Sequence, residues 1–284
     1  MARFVMRLLA RVPLRVLHAF GALLGWLMYL ASPTYRRQLR GNLLQAGLSD
    51  PALRRAAIAA AGKMIAELPA VWMRSREEVV RLVKSFDEQG LFAAALAEGK
   101  SVVVLTPHQG CFEIIPPVVA GRVPMIAMYR PPKLAFLGPL IEEGRGKPGV
   151  RLATADRAGV RQMLAALKRG ESVGILPDQV PGEGEGEWAD FFGRPAYTMT
   201  LAMRLARRPD TAALLFFGER LPRGAGFAIH VRALPEALPG ESDTRLLNRA
   251  LEAQLRERPA QYLWGYNRYK VPRGAKPPEQ SAVP

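Results

Sequence analysis

The sequence is poor in the residues that form disulfides and metal sites. Its 284 residues include a single cysteine, Cys111, and three widely separated histidines, His18, His108 and His230. One cysteine excludes an internal disulfide and is typical of a reducing compartment. The chain contains no CxxC or HExxH motif and no cluster of histidine with cysteine. We therefore expect no metal site and no cofactor.

Acidic residues are scarce in the first part of the chain. Residues 1–60 carry nine arginines and one acid, Asp50, and the whole chain has a net charge of +15. This excess of positive charge predicts an anionic partner. The candidates are anionic lipid, an acidic protein and nucleic acid. A zinc finger, an aromatic RNA-binding motif and a basic run with interleaved aromatics are all missing from the sequence. Nucleic acid is therefore the least favoured partner, and we expect none.

The N-terminal apolar segment is short for a transmembrane helix. Residues 16–31 form an uncharged run of sixteen residues, whereas a free-standing membrane span needs about 20. Arginines at four-residue spacing precede the run and end at Arg15. The segment spans if Arg15 snorkels, or it lies in the membrane interface. A cleaved signal peptide is the least favoured alternative. We predict a membrane-anchor helix over residues 1–35.

Short β-branched runs alternate with helical patterns in the rest of the chain. Strands are predicted at 101–106, 124–129, 150–154, 172–176, 211–217 and 226–232. Helices are predicted at 51–68, 77–83, 89–98, 134–143, 158–168, 198–208 and 241–258. The alternation predicts an α/β domain over residues 36–270, with a mostly parallel central sheet flanked by helices. Residues 271–284, rich in proline and polar residues, are predicted to be a flexible tail.

Three predicted strands end beside a residue that can carry chemistry: His108, Arg130 and Asp178. Parallel strands place their carboxyl ends at one edge of the sheet, where ligands bind in open α/β folds. Glu113 follows His108 by five residues, near a predicted helix start. We expect Glu113 to hold one imidazole nitrogen so that the other acts as a base. The alternative is a capping histidine and a glutamate that favours the helix dipole.

Several further segments allow two interpretations. The Gly- and Glu-rich residues 180–190 predict a mobile lid or a hairpin. Phe191 and Phe192 pack in the core or form an apolar wall for an acyl chain. The aromatic and basic residues 261–270, which include Arg268, close over an anionic headgroup or brace the C-terminus. Cys111 is either a nucleophile or, as we favour, a small apolar filler.

The spacing of His108 and Glu113 resembles the His-x-x-x-x-Glu signature of glycerolipid acyltransferases. More stretches, in order along nearly the whole chain, resemble the late (lauroyl/myristoyl) acyltransferases of lipid A biosynthesis. They are Arg37–Leu43, Tyr129–Pro131, Gly144–Arg145, Asp156–Arg157, Pro177–Gln179, Phe191–Gly193 with Thr198 and Thr200, and Pro259–Lys270.

This resemblance implies a glycerolipid-acyltransferase-like fold and an enzyme of the bacterial inner membrane that faces the cytoplasm. It implies transfer of a fatty acyl group from acyl carrier protein to a hydroxyl of a lipid A precursor, which forms an acyloxyacyl group. A lysophospholipid acyltransferase that uses acyl-coenzyme A or acyl carrier protein is the alternative. The acyl chain length and the acylated position stay open.

The resemblance also implies roles for individual residues. His108 and Glu113 take the catalytic positions, while Arg145 and Asp178 take other functional charged positions. Guanidinium geometry suits Arg130 and Arg145 to phosphate, with Asp178 orienting one of them. Arg268 is included among the residues predicted to bind substrate.

Overall fold

A computed structural model describes residues 2–132 and 134–278. Residues 279–284 of the predicted tail therefore lie outside the described residues. The described strands are β1 (Val83–Phe86), β2 (Ser101–Leu105), β3 (Met125–Tyr129), β4 (Val150–Thr154), β5 (Ser172–Ile175), β6 (Gly186–Phe191), β7 (Arg194–Met199), β8 (Thr211–Arg220) and β9 (Phe227–Ala233).

The helices precede, separate and follow these strands. They are α1 (Ala2–Ala10), α2 (Leu14–Ala31), α3 (Pro33–Gln45), α4 (Pro51–Ala66), α5 (Leu68–Trp72), α6 (Arg76–Val80), α7 (Leu91–Ala97), α8 (Ile115–Val119), α9 (Gly138–Arg145), α10 (Arg157–Lys168), α11 (Leu201–Ala206) and α12 (Asp243–Glu257). Short 3₁₀ helices span Phe112–Ile114, Ala135–Leu137, Pro222–Gly224 and Pro259–Gln261.

Seven strands form the central sheet in the order β1-β9-β8-β2-β5-β3-β4. The five strands from β8 to β4 are mutually parallel, and β9 pairs with β8 in the antiparallel direction. Residues 102–105 of β2 have no exposed surface, because helices cover both faces of the sheet. The predicted mostly parallel α/β sheet flanked by helices is confirmed.

The chain leaves two neighbouring strands toward opposite faces of the sheet. After β2 it enters α8, whose Ile115 packs in the same apolar cluster as Val104. After β5 it passes through a hairpin to α11, whose Met203 packs on the other face with Val103 and Ile175. A crevice opens where adjacent strands diverge in this way. The fold therefore places a ligand site at the carboxyl ends of β2 and β5.

Some local predictions differ from the structure. The predicted helix 198–208 is wrong at its start, because β7 runs to Met199 and α11 begins at Leu201. Residues 194–199 pair instead with β6 in an antiparallel hairpin, and this tertiary pairing overrides helix propensity. The predicted helix 77–83 ends at Val80, and Val83 already belongs to β1.

The N-terminal segment consists of two helices that pack on the domain. Pro13 separates α1 from α2. Arg3 and Arg7 of α1 form ion pairs with Glu143 of α9, at 2.6 and 2.9 Å. The Arg74 guanidinium donates to the carbonyl of Ala10, which fixes the break between the helices. The segment is thus part of the folded body rather than a separate tail.

Glycines allow α2 and α4 to approach at backbone distance. A Cβ added to Gly62 would lie 1.9 Å from the carbonyl oxygen of Gly21, and one on Gly25 would lie 2.1 Å from that of Ile58. Gly21 and Gly25 are four residues apart, so they share one face of α2. Only glycine permits this contact.

A buried ion cluster fixes the same two helices to the sheet. Glu67, which follows α4, accepts two hydrogen bonds from Arg220 of β8, at 2.6 and 2.7 Å, and lies 3.2 Å from the His18 ring. Burial raises the pKa of Glu67, but Arg220 and His18 lower it further, so the net pKa lies below its usual value. The carboxylate therefore stays charged, and the cluster joins α2, α4 and β8.

In the described ranges one helix, α2, is long and apolar enough to cross a membrane by length and composition. Its Phe20, Leu23 and Leu27 are exposed on the side away from α4. The opposite side, which includes Leu17 and His18, is buried against the domain. One face of α2 is therefore apolar and exposed.

Substituting Gly62 by alanine should separate α2 from α4. The added methyl group cannot fit 1.9 Å from a backbone oxygen, so we expect a loss of about 1–3 kcal/mol of stability. Thermal unfolding measures this as a fall in Tm of roughly 3–10 °C. Gly41→Ala in α3, where nothing lies within 4 Å, is the matched control. An unchanged Tm in Gly62→Ala would contradict the close helix contact.

Candidate active site

His108 and Asp178 meet at the ends of two adjacent strands. The Asp178 carboxylate accepts the backbone N–H of His108 at 3.0 Å and contacts the ring Nδ1 at 2.9 Å. The Asp178 side chain is 2% exposed and that of His108 is 17% exposed. Strands β2 and β5 are hydrogen-bonded neighbours, so this contact follows from the strand order.

The contacts on both ring nitrogens define one tautomer. Burial raises the pKa of Asp178, but the His108 ring and backbone N–H lower it further, and the net pKa lies below its usual value. An ionised carboxylate only accepts, so Nδ1 carries the proton. The amide of Gln179 lies 3.2 Å from Nε2 and donates to it. Nε2 is therefore the unprotonated ring nitrogen, and its lone pair accepts this hydrogen bond.

The loop that carries His108 is held from two sides. The backbone carbonyl of His108 accepts the N–H of Leu263 at 3.0 Å, and the N–H of Gly110 donates to the carbonyl of Gln261 at 2.8 Å. Gly110 has a φ of +60°, and a Cβ there would lie 2.0 Å from the carbonyl oxygen of Gly218. Glycine at position 110 thus permits the loop to lie directly on β8.

The predicted pairing of Glu113 with His108 is wrong. Glu113 accepts from Arg145 Nε at 3.0 Å and from Trp72 Nε1 at 3.1 Å, and Asp178 takes the place on the imidazole. Glu113 lies in the 3₁₀ turn after the loop, where it meets α5 and α9. The predicted link between Asp178 and an arginine is replaced by its contact with His108.

A cavity of about 630 Å³ opens beside the His108–Asp178 pair. Its lining includes His108, Glu113 and Gln179. Apolar residues of the sheet and of α8 form one part, including Val104 and Ile115. The cavity therefore joins the His108 imidazole to an apolar chamber.

Arginines line the other part of the cavity. They include Arg130 and Arg145, which were predicted to bind phosphate. Arg157, Arg161 and Arg204, for which no role was predicted, also line this part. Arg157 and Arg161 are four residues apart on α10, so they share a helix face; this spacing was the available signal. Arg130 is exposed and lies 4.0 Å from Glu185. Their combined charge suits an anionic ligand.

Arg268 does not reach the cavity lining. It is 2% exposed and donates to the carbonyl of Tyr197 and to Thr198 and Asn248. The prediction that Arg268 binds substrate is therefore corrected: its guanidinium ties β7 to α12. Of the two alternatives for residues 261–270, a cover over an anionic headgroup or a brace of the C-terminus, the structure favours the brace.

The other ambiguous residues also have structural positions. Phe191 and Phe192 are buried in the apolar core with Trp264, so they pack rather than line the cavity. Burial raises the pKa of the Cys111 thiol well above its usual value. A buried, protonated thiol is unsuited to nucleophilic attack, which favours the filler interpretation.

Fold and site together define an α/β protein with a histidine–carboxylate pair at the divergence of two parallel strands, beside an apolar cavity with a basic wall. A family model described as bacterial lipid A biosynthesis acyltransferase matches residues 1–271. The chain belongs to this family, and the resemblance of its motifs is confirmed.

Three relatives illustrate the similarity. The chain is 28% identical over 196 residues to a lipid A biosynthesis palmitoleoyltransferase of Escherichia coli (strain K12), covering 67% of this chain and 63% of that protein. It is 26% identical over 180 residues to the lipid A biosynthesis lauroyltransferase of the same strain, covering 62% and 58%. It is 23% identical over 210 residues to a lipid A biosynthesis acyltransferase of Haemophilus influenzae, covering 71% and 66%. The matched segments span under two thirds of these relatives.

Asp178→Asn should change the tautomer of His108. An asparagine amide cannot accept both N–H groups of His108 as the carboxylate does, so the fixed Nδ1–H form should be lost. Nitrogen-15 NMR of the imidazole, in its neutral form, measures which nitrogen carries the proton. Glu113→Gln is the control, because Glu113 contacts Arg145 and Trp72 instead of the ring. If the tautomer changed only in Glu113→Gln, Glu113 and not Asp178 would be the residue that fixes the His108 ring.

Proposed function

We propose that this protein transfers a fatty acyl group from a thioester to a hydroxyl of a lipid A precursor. The observation that carries the proposal is the His108–Asp178 pair, whose unprotonated Nε2 belongs to a side chain that lines a cavity with an apolar part and an arginine-lined part. Membership of the lipid A acyltransferase family supports the same substrate class. The apolar part suits the acyl chain, and the basic part suits phosphate.

His108 acts as the general base in this proposal. Its Nε2 takes the proton of the acceptor hydroxyl, whose oxygen forms a bond with the thioester carbonyl carbon. The carbon–sulfur bond of the resulting tetrahedral intermediate then breaks, and the imidazolium returns the proton to the leaving thiolate. Asp178 holds Nδ1–H and stabilises the positive ring, as the carboxylate of a hydrolase triad does. The acceptor hydroxyl must displace the Gln179 amide from Nε2.

Glu113 acts through Arg145 in the same scheme. The buried carboxylate fixes the guanidinium, which also lies over the Trp72 ring at 5.7 Å. An arginine held in this way keeps a fixed orientation toward a phosphate. Arg130, Arg157 and Arg161 then extend the basic wall along the cavity. We assign this wall to the phosphates of the acceptor.

We propose acyl carrier protein as the acyl donor. Its acidic surface, implied by the family resemblance, complements the net charge of +15. This donor is cytoplasmic, so the cavity faces the cytoplasm at the inner membrane. The buried thiol of Cys111 supports direct transfer without an acyl-enzyme.

His108→Ala should abolish transfer. Loss of a general base lowers the rate by about 100- to 10,000-fold, and Asp178→Asn should lower it by a similar factor because it loses the tautomer. The measurement is mass spectrometry of product from a tetra-acylated lipid A precursor and acyl carrier protein thioesters.

His230→Gln provides the matched control for this experiment. His230 also contacts a carboxylate, that of Glu219 at 2.8 Å, but it does not line the cavity, so activity should be retained. Undiminished product from His108→Ala would exclude the mechanism. Product with a lysophospholipid acceptor and none with the lipid A precursor would identify the alternative acyltransferase.

We infer that α2 lies in the membrane interface and does not span. Its 18 residues measure about 27 Å, against a hydrocarbon core of about 30 Å. Its inner face packs on α4, which carries the charged residues Arg54, Arg55 and Lys63. Phe4 and Leu8 of α1 are exposed as well. Helix α1 contacts α5 and α9, which line the cavity through Val71 and Arg145, so lipid would reach the cavity from this side.

Replacing Leu23 and Leu27 together by glutamate should weaken membrane binding. Each exposed leucine contributes about 1.5–3 kcal/mol when buried in an apolar phase, so binding should fall by more than 100-fold. Sedimentation with phosphatidylglycerol vesicles measures the loss. Leu238→Glu, an equally exposed leucine before α12, is the control and should bind normally.

Single cysteines near the ends of α2 distinguish lying from spanning. In a Cys111→Ala background, a cysteine at Arg11 and one at Ser32 should both react with an impermeant maleimide added outside sealed vesicles. Protection of only one of them would show that α2 crosses the bilayer.

A further inference from the structure

The deep wall of the cavity is a patch of the sheet face. Val104, Gly174, Ala127 and Leu152 are paired in register across β2, β5, β3 and β4. Met125 and Val150 form the next paired row toward the amino ends of the strands. All six residues line the cavity, so it extends from the charged edge into an apolar chamber beneath α8.

Met125 lies across the position where Gly174 lacks a side chain. A Cβ added to Gly174 would lie 2.3 Å from Met125 Cε, whereas its next neighbours, atoms of Ala127, are 3.9 Å away. Met125 is 1% exposed, so its thioether ends the chamber. A methionine side chain is unbranched and adapts its shape readily. The space at this end of the chamber is therefore set by the absence of a side chain at Gly174 and by the flexible side chain of Met125.

The depth of the chamber follows from β3. This strand runs from Met125 to Tyr129, the residue before Arg130 at the charged edge. Four residue steps at about 3.3 Å give a depth of about 13 Å. A zigzag chain of carbon–carbon bonds of about 1.5 Å fits roughly ten bonds into this length. The chamber thus suits a medium-length saturated chain.

We propose that Met125 and Gly174 set the length of the acyl chain that the protein accepts. The inference rests on the proposed acyl transfer. The thioester carbonyl lies at His108, the tail runs along the strand direction past Gly174, and its terminal methyl group meets Met125. A longer chain must displace the thioether, and a shorter one leaves apolar surface uncovered. Both lower the affinity, by about fourfold per methylene that is not accommodated or buried.

Two substitutions should move the preference in opposite directions. Met125→Ala removes the thioether that ends the chamber and should shift the preferred acyl chain at least two carbons longer. Gly174→Ala places a methyl group against the thioether and should shift it one or two carbons shorter. The measurement is the product distribution from an equimolar mixture of acyl carrier protein thioesters with eight to sixteen carbons, on a lipid A precursor. A merely structural role would lower all products equally.

Val173→Ala controls for loss of packing. Val173 is buried beside Gly174 but belongs to the core on the opposite face of the sheet, so its variant should keep the wild-type distribution. An unchanged distribution in both Met125→Ala and Gly174→Ala would overturn the inference.

Binding of free fatty acids separates this inference from the proposed function. Calorimetry with saturated acids of eight to sixteen carbons should show affinity rising to a limiting length, and Met125→Ala and Gly174→Ala should move that limit as in the transfer assay. Absence of transfer by the wild type, with these shifts present, would refute the acyltransferase proposal alone. Binding that is insensitive to both substitutions would refute the length determinant alone.

Discussion

The carboxylate of Asp178 is the constraint on which the site depends. A buried charge costs several kcal/mol unless it is paired and hydrogen-bonded, and the backbone N–H and ring of His108 supply those contacts. The same contacts join the ends of β2 and β5 and fix the imidazole. Because the loop of His108 also lies on β8 through Gly110, the imidazole is held by three neighbouring strands. Positioning of the imidazole and stability of the sheet edge therefore depend on the same interaction.

The sequence was informative about the edge of the sheet and misleading about its contacts. Apolar runs that end in turn residues are local signals, so they predicted that His108, Arg130 and Asp178 follow strands. The partner of His108 depends on which strands are neighbours, and Asp178 is separated from it by 70 residues. The five-residue spacing to Glu113 suggested a local pair, but the turn directs that carboxylate to Arg145. Spacing within a motif does not specify which side chains touch.

Long-range packing explains the remaining differences. The segment with Thr198 has helix-compatible residues, yet it pairs with β6 as a strand before α11 begins. Arg268 occurs in an aromatic and basic cluster that fits a binding surface as well as a brace, and only its burial against Asn248 and Thr198 decides between them. The mostly parallel sheet flanked by helices, in contrast, follows from periodicity and is confirmed. Nonlocal pairing and burial are the information that a single sequence lacks.

The contact between α2 and α4 means that the N-terminal helix cannot be treated as a removable anchor. A chain shortened to begin at Pro33 would uncover the glycine surface at Gly62 and leave Glu67 and Arg220 without the cover of His18. Such a chain would gain an exposed apolar groove and solvent access to a buried ion pair, so truncation would promote aggregation rather than solubility. Detergent that covers the exposed apolar face of α2 is the better route to a soluble, intact protein.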